Sequence, residues 1–172
     1  MKFFLVGYMA CGKSNIGRKL AHILNVEFID LEEYIENKIN QTIYYFYKNS
    51  GEEKYKETEY EALKEILETK DNFLLSTSDI TPCIYDALEL MKKKGTIIYL
   101  KIDTNILIER LKKSKKNRPQ ISDIEDYDLP GFIKEQINER EKKCYNKASV
   151  IIDANVVSAD QIATILKYQD KM

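Results

Sequence analysis

The chain has 172 residues and a formal net charge of -1 at pH 7, with 44% hydrophobic and 32% charged residues. That length suits one domain with a proper core, and the balanced charge gives no general pull toward nucleic acid or an anionic membrane. No apolar run approaches the roughly 18 residues of a membrane span, and the apolar start is too short for a signal peptide, so a cytoplasmic protein is expected.

Five short apolar runs punctuate the chain: Phe3 to Val6, Val26 to Ile29, Phe73 to Leu75, Thr96 to Leu100 and Val150 to Ile152. They read as near-continuous buried strands of a parallel sheet rather than as alternating half-exposed ones. Between them apolar residues recur at helical spacing, as in Ile16, Leu20, Ile23 and Leu24, in Ile84, Leu88 and Met91, and in Ile106, Leu107 and Leu111. Alternating strands and helices predict an α/β sheet covered on both faces. Two segments break the alternation. Residues 31–70 hold two or three successive helices with a pause at Gly51, and residues 112–130 are rich in charge, polar groups and proline. The second has the composition of a mobile lid or of a plain surface loop.

The first strand runs straight into GYMACGKS, residues 7–14, and a helical pattern follows. This fits G-x-x-x-x-G-K-[ST] with both flanks correct, which predicts a loop whose backbone N–H groups cradle phosphate. Lys13 brings a positive charge to the terminal phosphates, the Ser14 hydroxyl suits magnesium, and the helix adds its positive end. Cys11 reads as a small filler of the loop. The three cysteines, Cys11, Cys83 and Cys144, are an odd number without metal-ligand spacing, so a reduced interior is expected. His22 reads as a surface or packing residue, and the lysine-rich runs at 92–94 and 112–116 as solvated faces. At the end of the second strand Asp30 and Glu32 flank Leu31, which points both carboxylates the same way on an extended backbone. Such acids serve a magnesium ion and an acceptor hydroxyl, or merely cap a helix.

From FFLVGYMACGKSNIGRKLA through FIDLEEYIENKINQTIYYFYKNSGEEKYKETE, then IIYLKID, RPQ and NEREKKCYNKASVIID, the chain resembles shikimate kinases over nearly its whole length. The resemblance implies a three-layer α/β/α P-loop kinase fold. It implies a five-stranded parallel sheet, a helical insertion over 31–70 and a lid over 112–128, all in one domain spanning 1–172. It also implies transfer of the ATP γ-phosphate, with Mg2+, to a hydroxyl of shikimate in chorismate and aromatic amino acid biosynthesis. The small-molecule substrate would be the sole partner, with no nucleic acid or membrane, and the protein is expected to be a monomer.

Carried over by position, Gly7, Ala10, Cys11, Gly12, Lys13, Ser14 and Asn15 form the nucleotide loop, with Ser14 and Asp30 at the metal. Arg118 is the lid arginine that reaches the transferring phosphate, Arg110 aligns with the arginine that stacks on adenine, and Arg140 holds the substrate carboxylate. Lys13, Glu32 and Arg118 are the candidate catalytic residues. Glu32, Lys56, Asp79 and Arg140 are the candidate acceptor contacts.

The departures from the family pattern gather on the acceptor side. Glu32 stands for an aspartate, Lys56 for an arginine, and Ser78, Asp79 and Ile80 for three glycines. Lysine loses the bidentate fork that suits a carboxylate, and misplacing a reacting group by about 1 Å costs on the order of 100-fold. A carboxylate at Asp79, about 4 Å from that of the substrate, would cost roughly 1 to 4 kcal/mol. Two further readings stay open at this stage. One is a P-loop kinase for a different small hydroxylated metabolite. The other is a non-catalytic nucleotide-binding protein that presents Tyr44, Tyr45, Tyr47, Tyr55 and Tyr60 to a partner.

Overall fold

The computed structural model describes residues 1–169, so residues 170–172 of the expected domain lie outside the described residues. Its centre is a five-stranded parallel sheet of β1 (Lys2–Val6), β2 (Glu27–Asp30), β3 (Phe73–Ser76), β4 (Thr96–Lys101) and β5 (Val150–Asp153). Each strand falls on one of the five apolar runs, Val26 lying just before β2, and the spatial order is β2-β3-β1-β4-β5. The inner strands are covered on both faces: Phe4, Leu5, Phe73, Leu74, Ile97 and Ile98 are fully buried. The expectation of continuous burial fails only at the two edges. In β5 buried and exposed residues alternate, leaving Ile151 half exposed, and β2 has one buried position. An edge strand lacks a neighbour on one side, so its outer positions meet solvent.

Among the described residues seven α-helices accompany this sheet. α1 (Lys13–Leu24) lies against β2, β3 and α7 (Ala159–Gln169), α4 (Ala87–Lys94) lies against β4, and α5 (Thr104–Ser114) pairs with α6 (Leu129–Lys143). The insertion comprises α2 (Leu31–Ile39) and α3 (Ile43–Thr69), and α3 leaves helical geometry at Gly51 (φ 83°), where the sequence predicted a pause. Ile84 departs from its predicted place. It follows a short 3-10 turn (Thr81–Cys83), and α4 begins only at Ala87, after Tyr85 with φ 46°. A left-handed residue cannot continue a right-handed helix, so the apolar spacing of Ile84 reports burial rather than helix. Among the described residues no helix is long and apolar enough to cross a membrane.

The register sets the site. Leu5 of β1 and Asp30 of β2 both align with Ser76 of β3, so the strands end level with one another at their carboxyl ends. The sheet order reverses at β1, which has β3 on one side and β4 on the other, and open α/β sheets bind ligands at such a crevice. The chain leaving β3 stays on this edge, because the Thr77 amide donates to Leu5 O at 3.1 Å. The excursion after α5 begins as a 3-10 turn (Lys115–Asn117), continues as turns to α6, and is tied to the insertion by Lys48 Nζ on Asp123 at 2.5 Å.

The cysteines correct the expectation of an all-thiol interior. Cys83 and Cys144, 61 residues apart with Cα atoms 5.4 Å apart, form a disulfide, and Cys11 alone stays free. Their separation carries no local signal. Only the packing of the segment after β3 beside the end of α6 brings the sulfurs together.

Candidate active site

The phosphate loop joins β1 to α1. Gly7 has φ 152°, and a Cβ there would stand 2.9 Å from Leu100 O, so a side chain would collide with β4. Gly12 has φ 95° and caps α1 in the left-handed region, leaving the first amides of the helix free to face the loop. Lys13 folds back across the loop, donating from Nζ to Gly7 O at 2.7 Å and Tyr8 O at 3.1 Å. Cys11 is buried beneath it, as its filler role predicts, and the Arg110 guanidinium braces the loop by donating to Ala10 O at 2.9 Å. Asn15 lies at the exposed rim, and His22 faces solvent on α1.

Asp30 divides its two oxygens between tasks. Oδ1 caps α2 by accepting from the amides of Glu32 at 3.1 Å and Glu33 at 3.4 Å, and Oδ2 accepts from Ser14 Oγ at 2.5 Å. Helix capping and site chemistry, alternatives on sequence alone, thus coexist in one carboxylate. Lys13, Ser14, Asp30, Glu32, Asp79 and Arg118 share a cleft of about 240 Å³. A second cavity of about 570 Å³ opens beside it between the insertion and the excursion after α5. Glu32 and Arg118 belong to its walls too.

Glu32 sits in the first turn of α2, open to the cleft yet closely surrounded by protein. Desolvation raises its pKa above the ordinary carboxylate value, and the Asp30 charge adds to this. Lys13, Arg118 and a hydrogen bond from Tyr55 act in the opposite sense. Burial lowers the pKa of Arg118, against the Glu32 charge that raises it. Its Nε donates to Ser114 Oγ at 3.1 Å, which aims the side chain back toward the cleft.

On the acceptor side Arg140, in the last turns of α6, is buried and ion-pairs with Asp79. Its guanidinium lies over the Tyr8 ring, 5.1 Å from the centroid, and Tyr8 Oη donates to Gln136 Oε1 at 2.7 Å. Tyr145 Oη donates to Asp79 O at 2.5 Å, a second tie between this segment and the end of α6. Ser78 Oγ pairs with Thr81 Oγ1 at 3.0 Å, so the serine in the expected glycine stretch builds a hydroxyl-bonded turn. Lys56 is held by Glu52 at 2.8 Å and Glu53 at 3.0 Å. It shares a cavity of about 320 Å³ with Arg140 and Ile80, apart from the cleft of Lys13 and Glu32. Asp79 stands between the two spaces, lining the nucleotide cleft while pairing with Arg140.

Glu59 escaped the sequence reading, and Tyr55, read there only as part of a partner-facing surface, is buried instead. Glu59 is fully buried without a cationic partner, accepts from Thr81 Oγ1 at 3.3 Å, and leaves its Oε1 unpartnered. Tyr55, nearly as buried, donates from Oη to Glu32 Oε1 at 3.4 Å. The available signal was a glutamate on the apolar stripe Tyr55, Ala62, Leu63 and Ile66, a core position for α3.

The cleft gathers cations, a hydroxyl beside a carboxylate, and one further acid over a phosphate loop. Such groups position and neutralise phosphate rather than attack it, which makes this a P-loop kinase that phosphorylates a small molecule. The chain belongs to the shikimate kinase family, whose model, described as "Shikimate kinase", matches residues 9–169. It is 38% identical over 150 residues to the shikimate kinase of Azobacteroides pseudotrichonymphae, covering 87% of this chain and 88% of that protein. It is 37% identical over 153 residues to that of Parabacteroides distasonis, covering 89% and 87%. The crystal structure of shikimate kinase from Bacteroides thetaiotaomicron superposes with a TM-score of 0.86 at 31% identity, covering 100% of this chain and 99% of the other. Shikimate kinase from Acinetobacter baumannii, in complex with shikimate, gives 0.86 at 26% identity, covering 98% and 91%.

Proposed function

We propose that this chain transfers the γ-phosphoryl group of ATP to a hydroxyl of shikimate. The observation that carries the reading is the convergence of Lys13, Asp30, Glu32 and Arg118 on one cleft at the carboxyl ends of β1 and β2. Family membership supplies the acceptor and favours it over another metabolite or a non-catalytic role. An incoming triphosphate takes the loop amides and draws Lys13 from the Gly7 and Tyr8 carbonyls onto its terminal phosphates. Arg118 offsets charge on the transferring group. The acceptor oxygen bonds to the γ-phosphorus as its proton passes to Glu32, the bond from that phosphorus to the β–γ bridging oxygen breaks, and ADP leaves.

Ser14 Oγ and Asp30 Oδ2 are hard oxygen donors set side by side, a set that fits magnesium carried in with phosphate. When bound there, the ion supplies positive charge shared with the phosphate oxygens. Arg140 and Lys56 are the cations for the substrate carboxylate, and Asp79 competes with that carboxylate for Arg140. Arg110, fixed on the loop, borders the adenine side. The excursion over 112–128 acts as a lid that excludes water during transfer. The protein works as a monomer of one domain, with the insertion 31–70 as its acceptor arm.

ADP release with Mg-ATP, measured with and without millimolar shikimate, tests this. Strong stimulation by shikimate is expected. ATP binding without stimulation would overturn shikimate as the acceptor.

A further inference from the structure

Glu32 has three side-chain torsions and lines an open cleft, yet a group that takes a proton in the transition state must stay within about 1 Å of its place. Tyr55 provides the hold. Its ring is buried and packs edge-on against Tyr47, with centroids 5.5 Å apart, so its hydroxyl has little freedom. That hydroxyl donates to Glu32 Oε1 at 3.4 Å, a length that leaves room to tighten when a substrate fills the cleft.

One helical turn along α3, Glu59 lies on the same face as Tyr55 and competes for the same hydroxyl. Glu59 has no cation beside it, and a carboxylate buried in this way takes up a proton rather than stay charged. Glu59 accepts from Thr81 Oγ1 at 3.3 Å, and the Tyr55 hydroxyl makes its hydrogen bond to Glu32. The charged groups that act on Tyr55 are Glu32 and Glu59, and around Glu32 stand Asp30 before α2, Lys13 of the phosphate loop and Arg118 after α5. None of the latter three reaches Tyr55 by a hydrogen bond among the described residues.

We propose that Tyr55 is a positioning residue for phosphoryl transfer. It holds the Glu32 carboxylate by a hydroxyl hydrogen bond from the buried side of the cleft. The inference rests on the reading of Glu32 as the group that receives the acceptor proton.

Tyr55→Phe removes one oxygen and keeps the ring, so the fold is retained. Steady-state kinetics with ATP and shikimate are taken on wild type, Tyr55→Phe, Glu32→Ala and the double variant. In Tyr55→Phe, kcat is expected to fall about tenfold with the KM for ATP unchanged. In the Glu32→Ala background the same change should cost nothing further in kcat, because the hydroxyl acts through that carboxylate. A full tenfold loss in that background overturns the proposal, since packing alone would then explain it, and so does an unchanged kcat in Tyr55→Phe. If wild type shows no shikimate-dependent turnover, the functional reading fails separately, and urea unfolding of the same four proteins still decides whether Tyr55 holds that carboxylate: strictly additive effects overturn the proposal.

Discussion

Replacing Glu59 with Gln is expected to stabilise the protein at about pH 8 and to change little at pH 4.5. Glu59 is wholly enclosed, and burial raises its carboxyl from 4.5 to about 7, with the nearby Glu32 charge pushing the same way. Between those two values the folded chain holds a proton that the unfolded chain has released. The favourable contribution of the neutral acid is therefore complete below pH 4.5 and falls as pH rises, until the loss is full above about 7. A gap of about 2.5 units at 1.36 kcal/mol each comes to about 3 kcal/mol, or about 6 to 12 °C in Tm for a chain of this size. Glutamine keeps the volume, carries no proton to lose, and finds hydroxyl partners in Thr81, Ser78 and Tyr55. Urea unfolding of both proteins across this range reads the difference directly. A difference of the same size at every pH would refute the reasoning, because a loss or gain of packing has no reason to track a proton.

Lys13→Met should lower ATP turnover by at least about 100-fold with the fold intact, read as ADP release beside an unchanged circular dichroism spectrum. Asp79→Asn removes the charge paired with Arg140, so it should cost about 3 kcal/mol in denaturant unfolding while lowering the KM for shikimate several-fold. An unchanged KM would mean that Asp79 does not contest the substrate carboxylate. The unfolded chain should take one alkyl label before reduction, on Cys11, and three after it. Reduction should also lower stability by about 4 kcal/mol, the chain-entropy value for a loop of about 61 residues.

The fold was legible because its signals are local. Phe3–Val6 can be buried on both faces only in a covered sheet, and the run from Gly7 to Ser14 needs a strand before it and a helix after it. The edge strands were read less well. Whether Ile151 meets a neighbour depends on sheet order, which apolar content does not reveal. The nucleotide side of the site followed from one contiguous motif together with Asp30. The acceptor side draws on α2, α3, the segment after β3 and the end of α6, and its partnerships cross long stretches of chain.

Composition and motif order thus determined that this is an α/β chain with a phosphate loop, and the family resemblance implied which acids and arginines attend it. Only the tertiary structure decided that Asp79 pairs with Arg140, that Cys83 meets Cys144, that Lys56 stands apart from Glu32, and that Tyr55 links Glu32 to a buried Glu59. The physical reason is range. Strand, helix and phosphate-loop geometry are set by neighbours along the chain, whereas a buried charge or thiol takes its partner and its protonation from whatever the packed sheet and helices bring against it.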